Sequence, residues 1–289
     1  HKDMGVATKP LLSVEGLTID IGGAKVIDDV SFTVARGKVM ALVGESGCGK
    51  SLTSYAMLGL LPPVARQIAG RIMLENVDLA SMSEKELSKA RGKDISIIFQ
   101  EPSASLDPLT TVGSQIAEAY RVHHGMSQAD AYVKAKQMLT DVGIPDPTRR
   151  LEQYPFELSG GMCQRIMISI AMINGPRVLV ADEPTTALDV TIQAQILDLM
   201  KKLVADRGTS VVLITHDMGV VADIADDVAV MYAGRIAEIA PVDALFAKPK
   251  HPYTALLLAS VPKPNHEPKA DLATIHGTVP TAGEFKDAC

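Results

Sequence analysis

The stretch Val39–Ser51, VMALVGESGCGKS, decides the fold of this 289-residue chain. It begins with the apolar run Val39–Val43, which is typical of a buried parallel strand. The next eight residues, Gly44–Ser51, match the pattern G-x-x-x-x-G-K-[ST], and a helix is predicted over Leu52–Leu61. Strand, glycine-rich loop and helix in this order indicate a phosphate-binding loop.

The chemistry of this loop follows from its residue types. Its three glycines permit the backbone angles that turn successive N–H groups inward, so that they can cradle phosphate oxygens together with the helix N-terminus. Lys50 can reach the β- and γ-phosphates, and the Ser51 hydroxyl can ligate Mg²⁺. The alternatives are a glycine-rich turn that binds nothing and, for Cys48, a redox or metal-binding role.

A second feature is a pair of acids after another apolar run. Val178–Ala181 predicts a buried strand, and Asp182 and Glu183 follow it directly. In a parallel sheet this end of the strand opens onto the ligand crevice. Asp182 is suited to hold the hydration shell of Mg²⁺, and Glu183 to polarise a water for attack on the γ-phosphate. The alternative is a turn whose two charges are solvated.

The remaining pattern predicts an α/β core with a helical insertion. Stretches rich in β-branched residues predict strands, and one apolar stripe has helical spacing. Between about Leu106 and Phe156 the sequence is polar and compatible with helix, with breaks at Gly125 and Pro145. Strand, helix and strand in succession imply a parallel sheet with helices on its faces. The predicted strands are Leu12–Ile21, Val26–Val34, Ile95–Phe99, Val211–Thr215 and Val228–Met231, and the helical stripe is Ile192, Ile196, Leu199 and Leu203.

Composition excludes several classes of protein. With 21% charged and 47% hydrophobic residues, wholesale disorder is excluded. A net charge of −6 argues against nucleic-acid binding through a broad basic face, and the lack of Trp argues against a carbohydrate or base-stacking platform. No apolar run approaches the roughly 18–20 residues needed to span a bilayer. Three widely spaced cysteines favour a reducing compartment.

Further motifs identify the family. Leu158-Ser159-Gly160-Gly161 precedes a helix predicted to begin near Met162, and small residues at a helix N-terminus can form a second anion site. Two chains packed head-to-tail would each donate this segment to the other's nucleotide. Together with the loop and the two acids, the set resembles ATP-binding-cassette (ABC) ATPases from roughly Leu12 to Gly234. Its other members are Gln100, Ala187-Leu188-Asp189 and His216, which follows a predicted strand.

This resemblance implies a role for each matching residue. Glu183 would be the general base, His216 would contact the γ-phosphate, and Gln100 would complete the catalytic set. Ser51 and Gln100 would ligate Mg²⁺, and Asp182 would support the ion through water. Taken alone, His216 could equally be an ordinary core or surface histidine. ATP would be bound by Gly44, Glu45, Ser46, Gly47, Cys48, Gly49, Lys50, Ser51 and Leu52, with Ser159, Gly160 and Gly161 reaching the partner's ATP and Asp189 at the dimer seam.

Three strings resemble one branch, the oligopeptide, dipeptide and nickel importers. They are Phe99–Pro102 with Ser105–Pro108, Glu157–Met162, and the tail string His251–Leu257, which could also be an ordinary proline-capped helix. The chain departs from the family in three respects. Met162 and Cys163 stand where many cassettes have Gln, and no aromatic residue between Leu12 and Val30 is placed to stack on adenine. Cys289 is the only tail cysteine, so an iron–sulfur cluster is not supported.

The expected fold is therefore an α/β P-loop NTPase. It has a RecA-like parallel-sheet core, an antiparallel β subdomain and a helical subdomain insertion. The expected segments are 11–105 (first part of the ATP-binding core), 106–165 (helical subdomain with the signature motif), 166–240 (second part of the core) and 241–289 (C-terminal extension of the peptide-importer type).

The expected function is that of the ATP-hydrolysing subunit of an ABC importer for peptides or a related small solute, powered by ATP-driven dimer closure. The resemblance implies a second, related ATPase subunit in a heterodimer, two transmembrane permeases and an extracytoplasmic solute-binding protein, with no nucleic acid. It also implies a peripheral location on the cytoplasmic face of the inner membrane. The alternatives are a soluble ABC ATPase of the DNA-repair or translation type and a small-molecule kinase, which would need neither Leu158–Gly161 nor His216.

Overall fold

The computed structural model describes residues 9–45, 49–101, 105–185 and 188–261. Its contacts divide the chain into two compact units. The first unit contains the described residues up to Met82 and those from Ile214 onward, and the second contains Ser83–Leu213. The first unit is therefore assembled from two stretches that are far apart in sequence.

The described residues form ten strands and ten α-helices. The strands are β1 Leu12–Ile21, β2 Ala24–Val34, β3 Val39–Val43, β4 Ala65–Leu74, β5 Val77–Asp78, β6 Ile95–Ile98, β7 Val178–Asp182, β8 Ser210–Thr215, β9 Asp227–Tyr232 and β10 Arg235–Pro241. The helices are α1 Lys50–Met57, α2 Glu84–Ala90, α3 Val112–His124, α4 Gln128–Asp141, α5 Pro147–Leu151, α6 Gly160–Met172, α7 Val190–Arg207, α8 Met218–Ile224, α9 Val242–Ala247 and α10 Pro252–Ala259.

Two groups of strands build the first unit. An antiparallel sheet has the order β2–β1–β4–β5, and its β1–β2 register places Leu12 opposite Val34 and Ile19 opposite Ile27. These four side chains are buried, which fixes the register because a slip of one residue would expose them. A second group has the order β10–β9–β3, with β3 parallel to β9. All five residues of β3 are buried, as predicted for the strand that leads into the loop.

The second unit combines parallel strands with helices. Strands β8, β7 and β6 lie in that order, and β6 runs parallel to β7 with Ile95 opposite Val178. Helices α3, α4 and α5 occupy the stretch for which helix was predicted, and Gly125 ends α3 with a φ of 59°. Helix α7 buries Ile196, Leu199 and Leu203 of the predicted stripe, so its spacing was interpreted correctly.

The helix after the phosphate loop was predicted incorrectly at both ends. It was expected over Leu52–Leu61, and α1 spans Lys50–Met57. It starts early because Gly49 is its N-cap, with a φ of 95°, so the first helical residue follows the loop at once. It ends early because Gly59 adopts a φ of 67°, which stops the helix before the prolines can.

The helix after the signature string begins at Gly160 rather than near Met162, because Ser159 is its N-cap.

Strand β6 ends at Ile98, one residue before the predicted end. Strands β4 and β10 were not predicted. Across the parts of the chain that the structure describes, no helix is long and apolar enough to cross a membrane.

Candidate functional site

The first unit holds the start and end of the phosphate loop. Gly44 follows β3 and is buried, and Glu45 is half-buried. Ser46, Gly47 and Cys48 lie outside the described residues, so their predicted contacts with a nucleotide stay predictions. The description resumes at Gly49, the residue that caps α1.

Gly49 cannot be replaced without rearrangement of its surroundings. A Cβ atom there would lie 2.1 Å from Cδ1 of Ile27, which is fully buried in β2. The φ of +95° is also one that side-chain-bearing residues rarely adopt. The sheet thus holds the end of the loop against β2, and a side chain at position 49 would have to displace Cδ1 of Ile27 as well as adopt a strained backbone angle.

Lys50 places a cation inside this loop. Its side chain is 5% exposed, and Nζ donates a hydrogen bond to the Gly44 carbonyl oxygen at 2.5 Å. An ammonium group carries three donors, so it can hold this carbonyl and phosphate oxygens at the same time. A buried cation is stable only beside groups of opposite charge or strong acceptors, which suits a polyphosphate ligand.

The N-terminus of α1 has no side-chain cap, unlike several helices of this chain. Its first backbone N–H groups and the positive end of its dipole are suited to an anion, which is the role that the motif predicts. Ser51 and Leu52 lie in its first turn and are half-buried. The turn is reinforced by Thr53, whose hydroxyl donates to the Gly49 carbonyl at 3.0 Å.

His216 also belongs to the first unit, directly after β8, and is exposed. Both flanking residues are fixed. The Asp217 backbone N–H donates to the Thr215 hydroxyl at 3.0 Å, and the Asp217 carboxylate caps α8 by accepting from the Gly219 N–H at 2.9 Å. These hydrogen bonds define the short turn between β8 and α8 that carries His216.

The second unit places the two acids at the end of β7. Asp182 is the last residue of the strand and is 1% exposed, whereas Glu183 is half-buried and has a φ of +46°. A left-handed conformation is strained for a residue with a side chain, and such strain is concentrated at functional sites. Asp182 is still part of the strand, whereas the backbone of Glu183 is left-handed. The two adjacent acids therefore differ in backbone conformation.

The signature string begins α6. Ser159 is exposed, and its hydroxyl accepts a hydrogen bond from the Met162 N–H at 3.2 Å. Gly160 is exposed, whereas Gly161 is buried, and a Cβ there would lie 2.9 Å from Cγ2 of Ile192 on α7. Burial raises the pKa of the nearby Cys163 thiol, so this group remains a thiol at neutral pH.

Asp189 and Gln100 occupy exposed positions at element ends. The Asp189 carboxylate caps α7 by accepting from the Ile192 N–H at 2.9 Å. Gln100 comes shortly after β6 and is exposed. Ala187, which precedes the Leu188-Asp189 pair, lies outside the described residues, as does Pro102 of the branch-specific string.

Two contacts at these sites were not predicted from the sequence. The buried Gln164 amide donates to the Pro184 carbonyl at 2.6 Å, joining α6 to the loop after the acids. In the first unit, the Tyr253 hydroxyl accepts from the Glu45 N–H at 2.9 Å. The first contact could have been suspected from the sequence, because Gln164 follows the signature string. No local pattern signals the second, since it joins residues 208 positions apart.

Taken unit by unit, the chemistry of these residues is compatible with their predicted roles toward a nucleotide and Mg²⁺. The buried Lys50 and the uncapped start of α1 suit phosphate oxygens. Ser51 in the first unit offers a hydroxyl, and Gln100 and Asp182 in the second offer an amide oxygen and a carboxylate, which are ligand types that Mg²⁺ accepts with waters and phosphate. A shared magnesium site of the three stays a prediction. The described residues contain no group of three or more His, Cys, Asp or Glu suited to a metal held by protein alone.

Comparison with known families matches most of the chain. Residues 27–186 match the family model for ABC transporters, and residues 237–289 match the C-terminal region of oligopeptide and dipeptide transporters. The dipeptide transport ATP-binding protein DppD of Bacillus subtilis is 51% identical, over 93% of this chain and 82% of that protein. A putative peptide import ATP-binding protein of Brucella abortus is 47% identical, over 98% of this chain and 88% of that protein.

Solved structures agree with these matches. The chain CbiO1 of Clostridium perfringens, described as part of an ABC transporter complex, superposes with a TM-score of 0.73 and 26% identity, over 83% of this chain and 91% of that one. The ATP-binding cassette MJ0796, solved as a dimer with ADP and phosphate, has a TM-score of 0.70 and 26% identity, over 80% of this chain and 98% of that one. The predicted α/β P-loop fold is confirmed, and the chain belongs to the ABC transporter family, with the C-terminal region of the oligopeptide and dipeptide transporters.

Proposed function

We propose that this chain hydrolyses ATP to power an importer for peptides. The observation that carries the ATPase proposal is the buried Lys50 beside the uncapped start of α1. The peptide proposal is supported by the names of the relatives, which are dipeptide, oligopeptide and peptide import proteins. Those names describe transport proteins, and they argue against a soluble ATPase of DNA repair or translation.

The chain's residues take separate roles in this proposal. Lys50 and the first N–H groups of α1 bind the β- and γ-phosphates and orient them. Glu183 accepts a proton from the attacking water, and the exposed His216 contacts the γ-phosphate. Magnesium, where bound, neutralises phosphate charge, and Ser51, Gln100 and Asp182 are the residues that would hold it.

The signature segment acts on a second subunit in this proposal. Ser159 and Gly160 are exposed, so they are available to a nucleotide bound by another cassette. Asp189, also exposed at the start of α7, would lie at the seam between the two cassettes. Closure of the two subunits around ATP, and reopening after hydrolysis, would be the rigid-body switch that moves the permeases.

The partners we propose are a related second ATPase, two permeases and an extracytoplasmic binding protein. The chain would act at the cytoplasmic face of the inner membrane. We also propose the division into segments 11–105, 106–165, 166–240 and 241–289, of which the last is the extension of the peptide-importer type.

Affinity isolation of the chain from detergent-solubilised membranes tests this proposal. We expect two polytopic permeases and a second ATPase in the isolate, with ATP hydrolysis stimulated by peptide-loaded binding protein. The Lys50→Met variant should assemble equally well and hydrolyse no ATP. Recovery only from the soluble fraction, or together with nucleic-acid factors, would contradict the transport proposal.

A further inference from the structure

A tyrosine from the C-terminal helix contacts the phosphate loop. Tyr253 lies in α10, is 7% exposed, and accepts a hydrogen bond at its hydroxyl from the Glu45 backbone N–H at 2.9 Å. Its ring packs against Tyr232, with centroids 4.7 Å apart at an interplanar angle of 44°. All three residues belong to the first unit. The roles proposed above do not use this contact.

The contact acts on the peptide group that holds Lys50. The Gly44 carbonyl and the Glu45 N–H belong to one planar peptide unit, so they turn together. The carbonyl accepts from Lys50 Nζ at 2.5 Å, and the N–H donates to Tyr253. The hydroxyl of Tyr253 therefore fixes the direction of the carbonyl that orients the Lys50 ammonium.

Helix α10 presents this hydroxyl from a fixed position. Glu238 on β10 accepts hydrogen bonds from the Lys250 N–H at 2.9 Å and the His251 N–H at 2.9 Å, which anchors the segment entering the helix. His251 then caps the helix, because its Nδ1 accepts from the Tyr253 N–H at 3.1 Å. The buried Leu257, one turn further on, packs the same helix inward.

The pKa of Glu238 is consistent with this anchoring. Burial would raise the pKa of its carboxyl, but the hydrogen bonds from the Lys250 and His251 backbone N–H groups lower it. The carboxylate form is therefore the one that holds the C-terminal segment.

We propose that Tyr253 is a positioning residue for the nucleotide: through the Gly44–Glu45 peptide it holds Lys50 ready for phosphate, so docking of α10 sets the affinity for ATP. This inference rests on the proposed function, because it assumes that the loop binds ATP. The coupling is reciprocal by thermodynamic necessity. ATP bound at the loop therefore stabilises the docked α10.

The Tyr253→Phe substitution tests the proposal in the full 289-residue chain. It keeps the ring and removes the acceptor of the Glu45 N–H. From the usual strength of one hydrogen bond, we expect the dissociation constant for ATP to rise about three- to tenfold. Tyr232→Phe is the matched control, because it removes the hydroxyl of the neighbouring ring and should leave the affinity unchanged.

A second ligand separates positioning from a general loosening of the fold. AMP lacks the β- and γ-phosphates that Lys50 would hold, so Tyr253→Phe should not change its affinity. The reciprocal measurement is hydrogen exchange of α10, which ATP should slow in the wild type and slow less in Tyr253→Phe. Equal losses for ATP and AMP, or an ATP affinity equal to that of the wild type, would overturn the proposal.

A second variant weakens the same contact indirectly and leaves the residues of the phosphate loop and Tyr253 unchanged. Glu238→Gln weakens the anchor of α10 and should raise the dissociation constant for ATP in the same direction, by a smaller factor. If Tyr253→Phe did not fold, an unchanged ATP affinity in Glu238→Gln would overturn the proposal by itself. A wild-type chain that binds no ATP would instead reject the proposed function on which this inference rests.

Discussion

Two helices of this chain begin at glycine-containing segments, and their surroundings differ. Helix α1 follows Gly49 without a side-chain cap, and its first residue, Lys50, is buried. Helix α6 starts at Gly160 and is capped by Ser159 of its own chain, at an exposed surface. Similar sequence patterns therefore produce one helix start with a buried lysine and one capped helix start at an exposed surface.

The space around the glycines explains the difference. A Cβ at Gly49 would meet Ile27 at 2.1 Å, whereas at Gly160 the described residues leave open space to 4 Å. Among the described residues, a side chain at position 49 would therefore have to displace Ile27, whereas one at position 160 would displace nothing. We infer that the phosphate site at α1 is formed within one subunit, whereas the action of Ser159 and Gly160 on a second subunit stays a proposal.

The largest expected effect is on the rate of hydrolysis, which one substitution should lower without changing ATP binding at α1. Glu183→Gln keeps the size of the side chain and removes the proton acceptor. We expect hydrolysis by the assembled transporter to fall about 10²- to 10⁴-fold, with ATP affinity unchanged. Release of phosphate and equilibrium ATP binding are the two measurements. Glu152→Gln, at an exposed helix end, is the control. Undiminished hydrolysis in Glu183→Gln would reject the general-base role.

The second effect tests whether packing requires Gly49. Gly49→Ala combines an overpacked contact with Ile27, about 1–3 kcal/mol, and a positive φ, about 1–2 kcal/mol, so the free energy of unfolding should fall by about 2–5 kcal/mol. Chemical denaturation measures this loss.

Gly23→Ala is the matched control for that prediction, because Gly23 belongs to the same unit, has a φ of +85°, and has nothing within 4 Å of its Cβ position. Its free energy of unfolding should fall only by the contribution of the positive φ, about 1–2 kcal/mol. Equal losses in the two variants would mean that Ile27 yields freely and that packing does not fix the loop.

The third effect concerns the open helix end. Ser159→Ala removes the cap of α6 and should cost about 1 kcal/mol of stability. Ser127→Ala removes the cap of α4, which has the same 3.2 Å geometry and lies in the same unit, and should cost about as much. Only Ser159→Ala should also lower hydrolysis by the assembled transporter, about tenfold. Equal hydrolysis in both variants would restrict Ser159 to a capping role.

The smallest effect is the pH dependence of the C-terminal anchor. The pKa of Glu238 is lowered in the folded protein, so its contribution to stability is present above the ordinary value of 4.5 and is lost as the pH falls through the folded value. The difference in melting temperature between wild type and Glu238→Gln should therefore shrink in acid. Glu118→Gln, at an exposed position, is the control. A difference that grows in acid would contradict this sign.

Strong local patterns made much of the fold predictable. The apolar run of β3 is buried along its whole length, and the bounds of β1 were predicted without error. Strand β4 was missed because only three of its ten residues, Ala65, Ile72 and Leu74, are buried, and Gly70 interrupts the alternation. A strand with most of its residues exposed carries too little hydrophobic periodicity to stand out.

The candidate site residues were proposed because their spacing has a chemical reason, and their roles remain predictions. The contact between Tyr253 and Glu45 could not be predicted, because no periodic signal connects positions 208 residues apart. The left-handed backbone of Glu183 was equally hidden, since its φ of +46° is set by the fold around it. Sequence identifies which groups can do chemistry, whereas tertiary contacts fix where they are held.

Equilibrium titration of the purified chain with ATP and magnesium tests the central claim most directly. The account predicts one ATP per chain in the wild type and in Ser159→Ala. In Lys50→Met, loss of charged hydrogen bonds should weaken binding about 10- to 100-fold or more. A wild-type chain without saturable ATP binding, or a Ser159→Ala chain that loses binding as Lys50→Met does, would contradict the claim that one subunit contains a complete phosphate site.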